Sequence, residues 1–168
     1  MKTAIYPGTF DPVTNGHLSV LKRASNVFDS ITLAVAVDNN KNQLFTLEER
    51  LQLLQESVKD MPNVQVEAFS GLLMEYVKKK QANAIIRGLR VVSDFEYEMQ
   101  MAAFNKELYA GAETVFFTAA TEYSFVSSSM IKSIAVLDGD ISKFVPAVVN
   151  DALKRKYGFP LSKPTAEA

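Results

Sequence analysis

Residues 31–37 read ITLAVAV, a run of strand length that places apolar side chains at odd and even positions alike. A strand with one face in water alternates, whereas a run of this kind is expected where both faces of a sheet are covered, as in parallel sheets. The chain repeats the theme on either side. TAIY (3–6), VQVEAF (64–69), AIIRG (84–88) and TVFFTA (114–119) are further strand candidates. Between the strands, NGHLSVLKRASNVF (15–28), TLEERLQLLQESVKDM (46–61), GLLMEYVKKKQA (71–82) and SDFEYEMQMAAFNKELYA (93–110) space their apolar residues three and four apart, the period of a helix. Parallel neighbours need long crossovers that pack back onto the sheet. The alternation therefore predicts a doubly wound, Rossmann-like α/β fold: a five-stranded parallel sheet with flanking helices. Two more helical patterns, YSFVSSSMIKSIAVL (123–137) and PAVVNDALKRKYG (146–158), predict a helical C-terminus. Thr46 and Glu49 form a capping-box signature, and Pro62 predicts the end of that helix after Met61. The polar tail from about residue 159, FPLSKPTAEA, is expected to be flexible or loosely docked.

With 168 residues, 48% of them apolar, the chain suits a single domain spanning 1–168. Eighteen basic side chains against nineteen acidic ones leave no global basic field, so nucleic acid is not an expected partner. The absence of cysteine excludes a disulfide framework, a thiol nucleophile and a Cys-type zinc site, and a single histidine excludes poly-His metal sites. No resident metal ligands are expected. No signal-type apolar region follows Lys2, and no apolar run approaches the roughly 18 residues of a membrane span. These features predict a soluble protein without a membrane partner.

In open α/β sheets ligands bind beyond the carboxyl ends of the strands. Here those positions carry PGTFDPVTNGH, then DNNKN with Lys41, then RGLR with Arg87 and Arg90, then TEYSFVSSS. Cations and hydroxyls converging from four loops suit a polyphosphate. Neither G-x-x-x-x-G-K-[ST] nor G-x-G-x-x-G is present, which argues against a P-loop kinase or an NAD enzyme. Instead His17, the only histidine, falls in the first turn of a helix beginning near Asn15 or Gly16, where an anion would meet free N–H groups and the imidazole. Ser127, Ser128 and Ser129 stand ahead of the helical pattern MIKSIAVL and form a second such place. The run Lys78 to Lys80 reads as a solvated helix end, and the Met and Phe stripe of YEMQMAAF reads as core or interface.

The segments T-F-D-P-x-T-N-G-H and S-S-S-M-I-K together resemble the paired signature of the nucleotidyltransferase superfamily. Within it, YPGTFDP, NGH, FTLEER, IRGLR, DFEYEMQ and FVSSS resemble, in order and over about residues 3–157, the bacterial phosphopantetheine adenylyltransferases. The resemblance implies transfer of the adenylyl group of ATP to 4'-phosphopantetheine, giving dephospho-coenzyme A and pyrophosphate. It further implies Mg2+ as cofactor, a homohexamer, a cytoplasmic location, and coenzyme A as a candidate inhibitor. Carried over by position, it assigns catalytic roles to His17, Lys41 and Arg90, and acceptor binding to Thr9, Lys41, Leu73 and Arg87. ATP binding falls to Thr9, Phe10, His17, Gly88, Leu89, Arg90, Glu98, Tyr123, Ser124, Phe125, Val126, Ser127, Ser128 and Ser129. Two departures stand out: Asn39-Asn40-Lys41-Asn42 where relatives often have Asn-Pro-x-Lys-Lys, and Tyr123 where several have Trp. Rival readings are an adenylyl- or cytidylyltransferase acting on nicotinate mononucleotide or a polar headgroup, and a non-catalytic nucleotide-binding module.

Overall fold

The computed structural model describes residues 1–37 and 43–161, with only the backbone of Ser93. Lys41, the Asn39–Asn42 departure and most of the tail expected to be flexible lie outside the described residues. Among the described residues five strands form: β1 (Thr3–Gly8), β2 (Ser30–Ala36), β3 (Val64–Phe69), β4 (Ala84–Leu89) and β5 (Glu113–Thr118). All pair in parallel, in the order β3-β2-β1-β4-β5. The α-helices of the described residues that connect or follow them are α1 (Asn15–Ala24), α2 (Leu47–Ser57), α3 (Leu73–Lys80), α4 (Val92–Leu108), α5 (Ser128–Ala135) and α6 (Ala147–Tyr157).

The two-faced apolar strands do what their pattern predicts. Ala4 and Tyr6, Leu33 and Val35, Ala84 and Ile86 face one way, into a core shared with α1, α2, α5 and α6. Ile5, Ala34 and Ile85, one residue out of phase, face the other way, against Met74 and Val77 of α3. The strand order turns around at β1: the chain winds outward through β2 and β3, then crosses back to β4 and β5. The crevice between the carboxyl ends of β1 and β4 is therefore the place where such a sheet opens to a ligand. Buried Arg50 of α2 donates from one guanidinium nitrogen to the carbonyls of Thr9 (2.8 Å) and Ala36 (3.1 Å), tying the ends of β1 and β2 together beneath it.

Three boundaries differ from expectation. α2 is capped as predicted, with Thr46 Oγ1 accepting from Glu49 N–H and Glu49 Oε2 from Thr46 N–H. It ends at Ser57 rather than Met61, because Val58 leaves the helical region (φ −117°) and a turn closes from Met61 N–H to Val58 carbonyl. Pro62 lies beyond that turn, so it does not stop the helix. α1 ends at Ala24, and the turn that follows drops Phe28 into the core. The 123–137 pattern divides into a 3-10 turn (Thr121–Tyr123), an extended Ser127, and α5, so Ser128 and Ser129 are helical rather than ahead of the helix. The Met and Phe stripe of α4 is not core: Met99, Met101 and Phe104 are all exposed. Among the described residues no helix is long and apolar enough to cross a membrane.

Candidate active site

β1 ends at Gly8, whose lack of a side chain admits the ring of Phe10 from the loop that follows; a Cβ there would lie 2.9 Å from ring carbons. Phe10 itself adopts φ 49°, the left-handed region, and buries its ring edge-on against Tyr6 (centroids 5.6 Å) and His17 (5.2 Å). Thr14 then caps α1. Its Oγ1 accepts from His17 N–H at 3.4 Å, and His17 Nδ1 returns the favour by accepting from Thr14 N–H at 3.1 Å. This is a capping box in which histidine stands where Glu or Gln usually does.

The consequence for the imidazole is chemical. A backbone N–H can only donate, so Nδ1 is the unprotonated nitrogen and Nε2 carries the proton. Among the described residues nothing hydrogen-bonds Nε2. Burial, with the Arg90 charge nearby, pulls the pKa of His17 down from the ordinary 6.5 to about 4. At neutral pH His17 is thus an uncharged donor with one fixed tautomer.

The cleft in front of it measures about 360 Å³ and is lined by Gly8, Phe10, Thr14 and His17 from the first loop and α1, by Arg87, Gly88 and Arg90 from the end of β4, and by Tyr123, Val126 and Ser127 to Ser129 after β5. Among the described residues none that lines it is acidic. Arg87 is held by a two-pronged ion pair with Glu98 of α4, Nε to Oε2 at 2.6 Å and Nη2 to Oε1 at 2.5 Å. Arg90 is oriented by Asp94 (Nε to Oδ2, 3.1 Å) and by the carbonyl of Val126. Asp94 and Glu98 are one turn apart on α4, so a single helix face aims both arginines. A larger groove of about 990 Å³ runs between α2 and α6, but none of its lining residues belongs to the loops after β1, β4 or β5.

The three serines divide their work. Ser127 caps α5, accepting from Met130 N–H at 3.1 Å, and its hydroxyl meets that of Ser129 at 3.1 Å. Ser128 donates instead to the carbonyl of Pro12 (2.8 Å), so its proton is committed within the protein. Of the other predicted positions, Thr9 is exposed at the loop's start, Leu89 ends β4, Ser124 bonds Thr121 carbonyl, and Phe125 packs edge-on against Phe144. Leu73 opens α3 against the second core cluster and does not line the cleft. Glu98 touches Arg87 rather than the cleft, and Lys41 lies outside the described residues. Tyr6, Asp11, Thr14, Asp94 and Lys132 were not singled out as site residues from sequence. Thr14 carries a local cap signal in the T-x-x-H spacing, and the other four stand inside the quoted segments YPGTFDP, DFEYEMQ and S-S-S-M-I-K.

Residues 5–134, from β1 into α5, match the family model described as cytidylyltransferase-like. A phosphopantetheine adenylyltransferase of Moorella thermoacetica is 53% identical over 159 residues, 95% of this chain and 99% of that one. One of Desulfitobacterium hafniense is 55% identical over 157 residues, 94% of this chain and 96% of that one. Among solved structures, a nicotinic acid mononucleotide adenylyltransferase of Plasmodium falciparum superposes with a TM-score of 0.70 at 16% identity, over 96% of this chain and all of the other. One described as a nicotinate-nucleotide adenylyltransferase of Vibrio parahaemolyticus gives 0.72 at 22%, over 96% and 99%. At those identities the structures speak for the fold alone.

Proposed function

The chain belongs to the cytidylyltransferase-like family and, within it, to the phosphopantetheine adenylyltransferases, and we propose that its cleft transfers the adenylyl group of ATP to 4'-phosphopantetheine, giving dephospho-coenzyme A and pyrophosphate. The observation that carries this reading is the cleft itself. Two helix N-termini, the Nε2–H of His17 and two braced arginines border a space that, among the described residues, no carboxylate lines. That is a receptacle for two anions.

The acceptor's phosphate is mostly dianionic at neutral pH, its second pKa being about 6, so no base is needed to make a nucleophile. One of its oxygens attacks the α-phosphorus, the bond from that phosphorus to the bridging oxygen breaks, and the electron pair leaves with pyrophosphate. The site's work is to hold the two anions in line and to donate to charge that grows on the α-phosphate. His17 Nε2–H supplies that donor, Arg90 and the Ser127–Ser129 end of α5 face the leaving phosphates, and Arg87 and Lys41 hold the acceptor's. Of the remaining positions named from the resemblance, Gly88, Tyr123 and Val126 line the cleft, and Thr9, Leu73, Leu89, Ser124 and Phe125 are assigned to substrate binding by the resemblance alone.

Among the described residues no three His, Asp or Glu side chains gather to hold a metal, so they do not fit a resident Mg2+ site. We read Mg2+ as arriving on the triphosphate, since it keeps phosphate oxygens and water as most of its ligands. Coenzyme A shares the acceptor's pantetheine arm and is read as a competing ligand of the same cleft. A cytoplasmic homohexamer is the assembly we assign. The apolar side chains left exposed on α4, Val92, Tyr97, Phe104 and Leu108 among them, support self-association.

Pyrophosphate release tests the reading. It should follow mixing with ATP, Mg2+ and 4'-phosphopantetheine, and not with nicotinate mononucleotide as acceptor or CTP as donor. Faster release with either replacement would reassign the substrate, and none with any mixture would leave a binding module.

A further inference from the structure

The most deeply buried carboxylate near the cleft takes no part in the chemistry above. Asp11 is 4% exposed and follows Phe10 in the first loop. Its Oδ1 accepts from Phe45 N–H at 2.9 Å; its Oδ2 accepts from Leu44 N–H at 2.9 Å and from Lys132 Nζ at 2.7 Å. Burial alone would raise its pKa, but the Lys132 bond, then the two backbone N–H groups, outweigh that and hold the carboxyl below the usual range. One residue on, the carbonyl of Pro12 accepts from Ser128 Oγ at 2.8 Å.

Ser128 and Lys132 are four apart on α5 and so share one face. That face is latched to consecutive residues of the first loop, which reaches the cap of α1 at Thr14 two residues later. The same carboxylate secures Leu44 and Phe45, which lead into the cap of α2 at Thr46. A buried ion pair is weak ground for stability, because a well-packed apolar pair often serves as well or better. What this one supplies is geometry: it joins the parts of the chain that flank the cleft.

We propose that Asp11 and Lys132 are positioning residues for adenylyl transfer, setting the spacing between the N-termini of α1 and α5 and thereby the alignment of the triphosphate against His17. Neither touches substrate. The proposal rests on the functional reading above, and in-line transfer is the kind of reaction that depends on it, since a misplacement of about 1 Å can cost on the order of a hundredfold.

The test compares the parent chain with Lys132→Met, Lys132→Arg, Asp11→Asn and the Asp11→Asn/Lys132→Met double variant. The measurements are kcat, both KM values, MgATP affinity by calorimetry, and thermal unfolding. Lys132→Met and Asp11→Asn should each lower kcat by roughly ten- to a hundredfold and weaken MgATP, and Lys132→Arg should recover most of both. The double variant should be no worse than the worse single one, because the latch can be broken only once. Effects that multiply in the double variant would overturn the proposal. So would lost MgATP affinity in Lys132→Met with Asp11→Asn unchanged, which would place Lys132 on the phosphates directly. Should Asp11→Asn fail to fold, Lys132→Met against Lys132→Arg decides, and equal kinetics in those two refute the latch. A parent chain that binds MgATP without turnover would sink the functional reading and leave the latch to be judged on nucleotide affinity.

Discussion

His17 is asked to do two jobs, and they can be separated. Through Nδ1 it completes the cap of α1; through Nε2–H it faces the cleft. His17→Gln keeps a capping-box residue and loses the imidazole donor, whereas His17→Ala loses both. Both variants should slow turnover by about a hundred- to a thousandfold, the usual effect of losing one donor aimed at transition-state charge. Only His17→Ala should also lose about 1 kcal/mol in chemical denaturation. Equal stability of the two would mean that the cap contributes nothing. The lowered pKa makes a second prediction. Unfolded histidine titrates near 6.5 and folded His17 near 4, so on acidification the unfolded chain binds the proton first. Stability is then full above about pH 6.5 and falls toward pH 4, by at most about 3 kcal/mol. Denaturation midpoints followed over that window should show the slope in the parent and lose it in His17→Gln. At this scale the sequence was informative about which residues gather, and much less about what each bonds. His17, Arg87 and Arg90 could be read from their places near the carboxyl ends of strands, although Arg87 itself lies within β4. That Ser128 spends its proton on Pro12, 116 residues away, and that Glu98 braces Arg87, depend on contacts made only by the folded chain.

Between elements, the junction of β1 with α1 sets the site. Gly8 has ordinary backbone angles, and what it provides is room for the Phe10 ring, which in turn seats His17. Gly8→Ala should therefore cost about 1–3 kcal/mol of stability, as overpacking does, and should lower kcat by displacing His17. Unaltered kcat would show that the ring contact does not position the imidazole. The strands were legible because β1, β2 and β4 carry buried apolar side chains on both faces, a pattern expected of a covered parallel sheet. Helix starts were legible where a cap is local, as at Thr46 and Glu49. Helix ends were legible where a glycine caps them, as at Gly158 after α6, but not at α2, which stops at Ser57, short of Pro62, through backbone turns that any polar sequence could make.

For the molecule as a whole, the strand order explains why loops distant in sequence meet, since the reversal at β1 brings the ends of β1 and β4 side by side. The outer surface of α4 bears on assembly. Sedimentation should give six times the 18.6 kDa chain mass, and Phe104→Glu, altering a side chain 67% exposed in the single chain, should shift the protein to smaller species. A monomeric parent would contradict the assembly. The central claim, that His17 donates to a phosphate nucleophile's transition state and removes no proton, is tested most directly by the rate of dephospho-coenzyme A formation in a single turnover between pH 6 and 9. The parent should run level above about pH 7, once the acceptor phosphate is dianionic, and His17→Gln should run at least a hundredfold lower with the same profile. A rise with pH in the parent that disappears in His17→Gln would make the histidine a base and contradict the account.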